Sequence, residues 1–252
     1  LFGGVEHDVR DRIKRQELGT LSLGGEHKIG NATIDYQLFY AAATEREPNR
    51  IEALFDSPGQ AIAIDFDFTD PDYPVATFPN ENNAGNATDF ENFELDELVF
   101  ENSDIRDINF TPRLNITFPY NLDGNNSGYF KFGGKIRMKD KVRDIRTQEF
   151  GAYFENSPLY PGEGPPLNLV TITDGFTETN LLDQGYELTN IPSADMLRDF
   201  FEFYPQHFIF DRNATRTSSF GEDYKANEII YAAYGMLRHD IGDLMLLGGL
   251  RF

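Results

Sequence analysis

Cysteine is missing altogether, which excludes both a disulfide framework and a thiolate metal site. Basic residues are scarce. The 22 lysines and arginines face 42 acids, a formal charge of −20, so no cationic excess exists to neutralise phosphates and nucleic acid is excluded as a partner. The 4 histidines, His7, His27, His207 and His239, are scattered without metal-ligand spacing. No apolar run approaches the roughly 18 residues that a transmembrane helix needs. That absence does not exclude a membrane, because polar residues facing a barrel interior dilute the hydropathy of a spanning strand. Neither a Gly-x-Ser-x-Gly motif nor a phosphate loop occurs. The opening residues, Leu-Phe-Gly-Gly-Val-Glu-His-Asp, lack the charged and apolar regions of a signal peptide, and the chain is expected to be a piece of something longer.

What is present is alternation. Every even position from Ile108 to Tyr120 is apolar (Ile108, Phe110, Pro112, Leu114, Ile116, Phe118, Tyr120), and the odd positions from Asp107 to Thr117 are all polar. Only a β-strand separates two faces with period two. The turn-rich run 121–128 follows. The alternation then resumes, with Phe130, Phe132, Gly134, Ile136 and Met138 on one face and Lys131, Lys135, Arg137, Lys139, Lys141 and Arg143 on the other. Two architectures use such a hairpin. In a soluble sandwich the apolar face meets a second sheet. In an outer-membrane barrel it meets lipid, and the polar face lines a watery lumen. Soluble strands run about 5–6 residues and tilted bilayer-spanning strands about 9–11, so the length of this alternation favours the barrel.

Similar hairpins are expected near 15–45 and 228–252, with turns at 29–32 and 240–243. The first alternates as Ile34, Tyr36, Leu38, Tyr40 and Ala42 against Thr33, Asp35 and Gln37; in the last, Leu244, Leu246, Gly248, Leu250 and Phe252 share one face. Between the hairpins lie two long loops, near 46–106 and 147–227. Residues 51–105 hold fourteen acids and no lysine or arginine, and residues 147–226 hold thirteen acids against four bases. A short strand is expected near 61–69, a turn cluster at 161–166, and a helix over 194–204 capped by Ser193 and stopped by Pro205. Phe200, Phe201 and Phe203 of that helix either pack against the loop or form a stacking platform. Short turns on one side and long loops on the other is the asymmetry of outer-membrane barrels. The fold class expected is therefore all-β, an antiparallel transmembrane β-barrel segment of about six long strands in three hairpins, with two long extracellular loops.

The third hairpin resembles the TonB-dependent receptors of Gram-negative outer membranes. Glu228, Tyr231, Ala232, Ala233 and Tyr234 match that family's Glu-x-x-Tyr-Ala-Ala-Tyr strand after a long loop, and Gly248, Gly249, Leu250, Arg251 and Phe252 match its strand ending Gly-Gly-Leu-Arg-aromatic-Glu. The Arg-Gln-Glu-Leu-Gly run at 15–19 and the Lys-Phe-Gly-Gly-Lys run at 131–135 also resemble mid-barrel strands of the family. The resemblance implies a 22-stranded plugged barrel in the cell outer membrane. It implies TonB-dependent uptake of a scarce nutrient (siderophore, cobalamin or saccharide), with outer-membrane lipid, the remaining barrel strands, a small nutrient ligand and, through a plug absent from this chain, the TonB complex as partners. The alternatives are a soluble secreted β-sandwich that binds ligands through long loops, and an outer-membrane barrel enzyme. The sparse histidine argues against an enzyme.

No catalytic residue and no cofactor is expected. Asp65, Asp67, Asp70 and Asp72 form a calcium candidate, although the EF-hand pattern fails because Thr69 and Asp70 occupy the places of its third ligand and its glycine. Six cations are expected to face the lumen: Lys131, Lys135, Arg137, Lys139, Arg113 and Arg251. Their roles are either to guide an anionic ligand or to pair with neighbouring acids. The acids of the loops are expected either to favour cationic ligands or only to keep the loops solvated.

Overall fold

The structure is a computed structural model that describes residues 2–3, 5–57, 62–72, 74–124, 126–151, 167–181, 183, 186–189 and 191–252. The turn cluster at 161–166 lies outside these residues, as does Asn125 of the 121–128 turn. Strand dominates, as expected for an all-β chain. The principal strands are β1 (Glu6–Asp11), β2 (Arg15–Ile29), β3 (Ala32–Asp56), β4 (Glu94–Asp123), β5 (Asn126–Gly151), β6 (Tyr224–Ile241) and β7 (Leu244–Arg251), and the helices are α1 (Glu81–Thr88), α2 (Ala194–Phe203) and α3 (Arg212–Gly221). They build a sheet ordered β7-β6-β5-β4-β3-β1, with β2 also paired to β3 and the short strand Ile209–Phe210 paired to β5. The described strands leave this sheet open and do not close a barrel.

The chain divides into two compact units, the first of residues 1–13, 47–102 and 145–221, the second of 14–46, 103–144 and 222–252. β3, β4 and β5 each contribute to both, so these strands run on past the ends that alternation alone marks.

Unit two is a meander in which spatial order follows chain order, β2-β3-β4-β5-β6-β7. Its turns are tight for a stated reason. Ile29 pairs with Ala32 and Ile241 with Leu244, so each loop is two residues. Gly30 and Gly242 open these loops at φ 60 and 55, where a side chain would be strained. The contacts Asp35–Asn115 and Arg46–Asp104 run in opposite directions along β3 and β4, which is antiparallel order. The tight turns therefore share one end of the strands, and the long insertions leave from the other.

Unit one holds the hydrophobic core. Val9 of β1, Ile51, Ala53 and Phe55 of β3, and Phe93, Leu95 and Leu98 at the start of β4 are buried together with Leu169, Ile172, Leu197 and Phe208. The helix expected at 194–204 is present as α2, with the Ser193 hydroxyl accepting a hydrogen bond from the Met196 N–H. It buries Leu197, packs Phe200 and Phe201 half-buried against the core, and leaves Phe203 exposed. Arg198 ties α2 down, donating to Asp11 at 2.8 Å and to the carbonyl of Asn49 at 2.7 Å. α3 covers a stretch of β5 that β6 does not pair: the backbone N–H groups of Thr147 and Glu149 donate to the Ser219 and Thr215 hydroxyls. The segments read as loops thus carry a folded core.

Two predictions follow from this unit. Leu197 is fully buried, so Leu197→Ala removes its methyl groups from the core and costs about 2–5 kcal/mol, read as a loss of folding free energy in denaturant titration. His7 lies edge-on to Phe93, ring centres 4.5 Å apart, and to Phe90, and burial lowers its pKa. The unfolded chain then takes up a proton that the folded one refuses. The contribution of His7 is full above the ordinary histidine range and is lost as pH falls through it. His7→Leu should flatten that part of the Tm–pH profile; an unchanged slope would locate the acid sensitivity elsewhere.

Candidate functional site

Strand register sorts the side chains of unit two onto two faces. Gly133, Lys135, Arg137 and Lys139 of β5 stand opposite Tyr234, Ala232, Ile230 and Glu228 of β6, and Tyr234 in turn opposes Arg251 of β7. These residues share one face with Asp35 of β3 and with Arg113 and Asn115 of β4, through the contacts described next. All six cations singled out in the sequence lie on it. The opposite face carries Tyr36, Leu38, Leu114, Phe118, Phe130, Phe132, Tyr231, Leu237 and Leu250. Aromatic contacts such as Phe118–Phe132, centres 5.8 Å apart, link neighbouring strands on that side.

The polar face is organised by a hydrogen-bond chain that crosses four strands. The Tyr234 hydroxyl donates to Asn115 Oδ1 at 2.9 Å, the Asn115 amide donates to Asp35 Oδ1, and Lys131 Nζ sits 3.8 Å from Asp35 Oδ2. Asn115 is 5% exposed, the one buried side chain among the described residues of unit two. Gly133 makes the chain possible. A Cβ there would overlap Asn115 Oδ1 and stand 2.6 Å from the Leu114 carbonyl oxygen and 2.9 Å from the Tyr234 ring. The tyrosine lies across the bare backbone of Gly133 to reach β4. Tyr36 lies over Gly25 and Tyr120 over Gly128 in the same manner, Tyr120 reaching His239 Nδ1 at 2.8 Å.

Beside this chain the small residues Gly134, Ala232 and Gly249 line a cavity of about 620 Å³. Arg113, Lys131, Lys135, Tyr234 and Arg251 stand around it. The expectation that the cations pair with neighbouring acids holds for three of them: Lys139 lies 3.0 Å from Asp107, Arg137 2.6 Å from Glu228, and Lys131 against Asp35. Arg113, Lys135 and Arg251 have no carboxylate within 4.0 Å among the described residues. The face can therefore offer three uncompensated cations and hydrogen-bond groups to a solute.

The calcium candidate does not assemble. Among the described residues no three acidic or histidine side chains gather into a metal-binding group. Asp67 is used within its own turn: Thr69 donates both its hydroxyl and its backbone N–H to Oδ1, holding this carboxyl below the usual range, and Asp70 accepts from the Asp72 N–H. Sequence reasoning missed the Tyr234–Asn115–Asp35 chain. Its one signal was an asparagine in the middle of a long strand.

The glycine floor yields a paired test. Gly133→Ala should cost about 1–3 kcal/mol and break the Tyr234–Asn115 bond, because a methyl group there overlaps both partners. Gly134→Ala faces the other way, meets only the Ala232 carbonyl at 3.3 Å, and should be nearly silent. Equal effects in thermal unfolding would show that the glycine does not serve this network.

No protein-family model, no curated protein and no solved structure matches the chain. The resemblance to TonB-dependent receptors thus stands on the quoted residues alone.

Proposed function

We propose that this chain is part of the β-barrel of an outer-membrane transport receptor, taking up a scarce nutrient across the Gram-negative outer membrane. The observation that carries the reading is the inversion of unit two. Its sheet buries no apolar side chain among the described residues, while Leu38, Leu114 and Phe132 are 44%, 48% and 45% exposed and Leu250 is 73% exposed. A soluble sandwich covers such a face with a second sheet. A contiguous exposed apolar surface of this extent marks an interface with something apolar.

Dimensions support lipid as that partner. The apolar side of β5 over residues 130–138 is about 27 Å long at roughly 3.3–3.4 Å per residue, and at the roughly 35–45° tilt of barrel strands it covers about 19–22 Å of an apolar band about 25 Å tall. The polar side supports a watery interior: its charges are arranged in pairs and hydrogen bonds that a lipid-facing surface would not tolerate. No helix among the described residues is long and apolar enough to cross a membrane, so any crossing would be by strands. The family resemblance adds the TonB complex, a plug domain and further strands as partners, and a siderophore, cobalamin or saccharide as cargo. Under this reading the cavity beside Tyr234 faces the transport path.

Because the chain has no cysteine, single cysteines report position cleanly. Fluorophores placed at Leu114, Ile116 and Phe132 should be quenched by brominated lipid in phosphatidylcholine vesicles, and fluorophores at Asn109 and Lys135 should not. Ile116→Arg should cost about 2–4 kcal/mol if the residue lies near the bilayer midplane. Quenching at Lys135 equal to that at Ile116, or at neither, removes the membrane reading and returns the chain to the soluble sandwich.

A further inference from the structure

We infer that the cavity on the polar face of unit two is a binding site for a small organic polyanion, one presenting two or more carboxylate or phosphate groups. This rests on the reading that the face lines an aqueous path, and it gives the cargo a charge.

The sign of the site is opposite to the sign of the chain. The whole molecule carries −20, yet the cavity is lined by Arg113, Lys131, Lys135 and Arg251 against one acid, Asp35. Asp35 is already committed. One oxygen accepts from Asn115 and the other faces Lys131, so it neutralises nothing further. Three cations around one cavity, on β4, β5 and β7, repel one another when no anion stands between them. The same face pairs Lys139 and Arg137 with acids one or two rows away, whereas no carboxylate stands against Arg113, Lys135 or Arg251 among the described residues.

The shape fits a solute with several charged groups. The small residues of the lining are Gly134, Ala232, Ala233, Gly235 and Gly249, so much of its floor is backbone and methyl. A cavity of about 620 Å³ falls within the roughly 300–1,000 Å³ of small-molecule sites. Arg113 and Arg251 come from β4 and β7 and so stand on opposite flanks. Each guanidinium fork can take one oxyanion group in two parallel hydrogen bonds. Lys135 supplies a point charge on the floor side, and the Tyr234–Asn115 bond holds the ring that forms part of the wall. A neutral sugar would leave the three cations without compensation.

Calorimetric titration of the detergent-solubilised chain at low salt tests this, with citrate, pyrophosphate and glucose as probes. Citrate or pyrophosphate should bind and glucose should not; the tighter of the two anions identifies carboxylate or phosphate as the preferred group. The double variant R113Q/R251Q should weaken anion binding at least about tenfold, as loss of charge-assisted hydrogen bonds does, and K135Q should weaken it as well. K135R should retain binding, which separates loss of charge from loss of fold. K139Q, whose lysine is paired with Asp107, should change affinity less than about twofold. No binding of either anion, or equal loss in K139Q and K135Q, overturns the site. The lipid-quenching pattern is read on the same protein after reconstitution into the phosphatidylcholine vesicles. Quenching intact with anion binding absent refutes the anion site alone, and anion binding intact with quenching lost refutes the membrane reading alone.

Discussion

The backbone ladder is what the rest of this structure depends on. The inner strands of unit two satisfy their N–H and C=O groups on neighbouring strands along most of their length; β6 pairs residue by residue with β5 from Tyr224 to Ile241. With the polar backbone thus used up, side chains alone decide what each face meets. One face can be wholly apolar without any unsatisfied group beneath it, and the other can be wholly polar. Among the described strands, the outer edges of β2 and β7 and the stretch of β6 before Ala233 lack such partners on one side, which is where an open sheet must be continued or protected.

The two units use the same alternation to opposite ends. In unit one, β1, β3 and the start of β4 turn Val9, Phe55 and Leu98 inward onto a core that α2 covers with Leu197. In unit two, the later residues of β4 and the earlier residues of β5 turn Leu114 and Phe132 outward. One strand therefore changes its apolar environment along its length. Hydrophobic burial stabilises the first unit directly. The second depends on ladder hydrogen bonds, cross-strand pairs and its surroundings.

Legibility in the sequence followed this division. The strands through Ile108–Tyr120 and Phe130–Met138 were readable because nothing interrupts their alternation, and Gly30 and Gly242 marked turns that need positive φ. Unit one was read as loops, for physical reasons. Acids sit between its buried residues, as Asp96 and Glu97 do between Leu95 and Leu98, so composition masked the core. α1 and α3 escaped because Glu-Asn-Asn-Ala-Gly-Asn-Ala-Thr and Arg-Asn-Ala-Thr-Arg-Thr-Ser-Ser-Phe-Gly are weak helix formers, fixed by the caps at Asn80 and Asp211. The cations were placed on one face, but their pairing was not readable. Lys139 stands opposite Glu228 on β6 and yet meets Asp107 on β4, a choice between two neighbouring strands that alternation does not encode. The role of Gly133 was hidden for the same reason: it is a space for a tyrosine a hundred residues downstream.

The tyrosines lying over Gly25, Gly128 and Gly133 bear on how such a sheet is assembled without error. A strand that slips by one residue exposes the wrong face and is rejected at once. A slip by two residues keeps every apolar side chain on the apolar side, and alternation is blind to it. It moves each tyrosine off its glycine and onto a residue with a Cβ, where the ring cannot lie flat. Three glycines spread over β2 and β5 thus act as notches, and their tyrosines on β3, β4 and β6 as the teeth that find them.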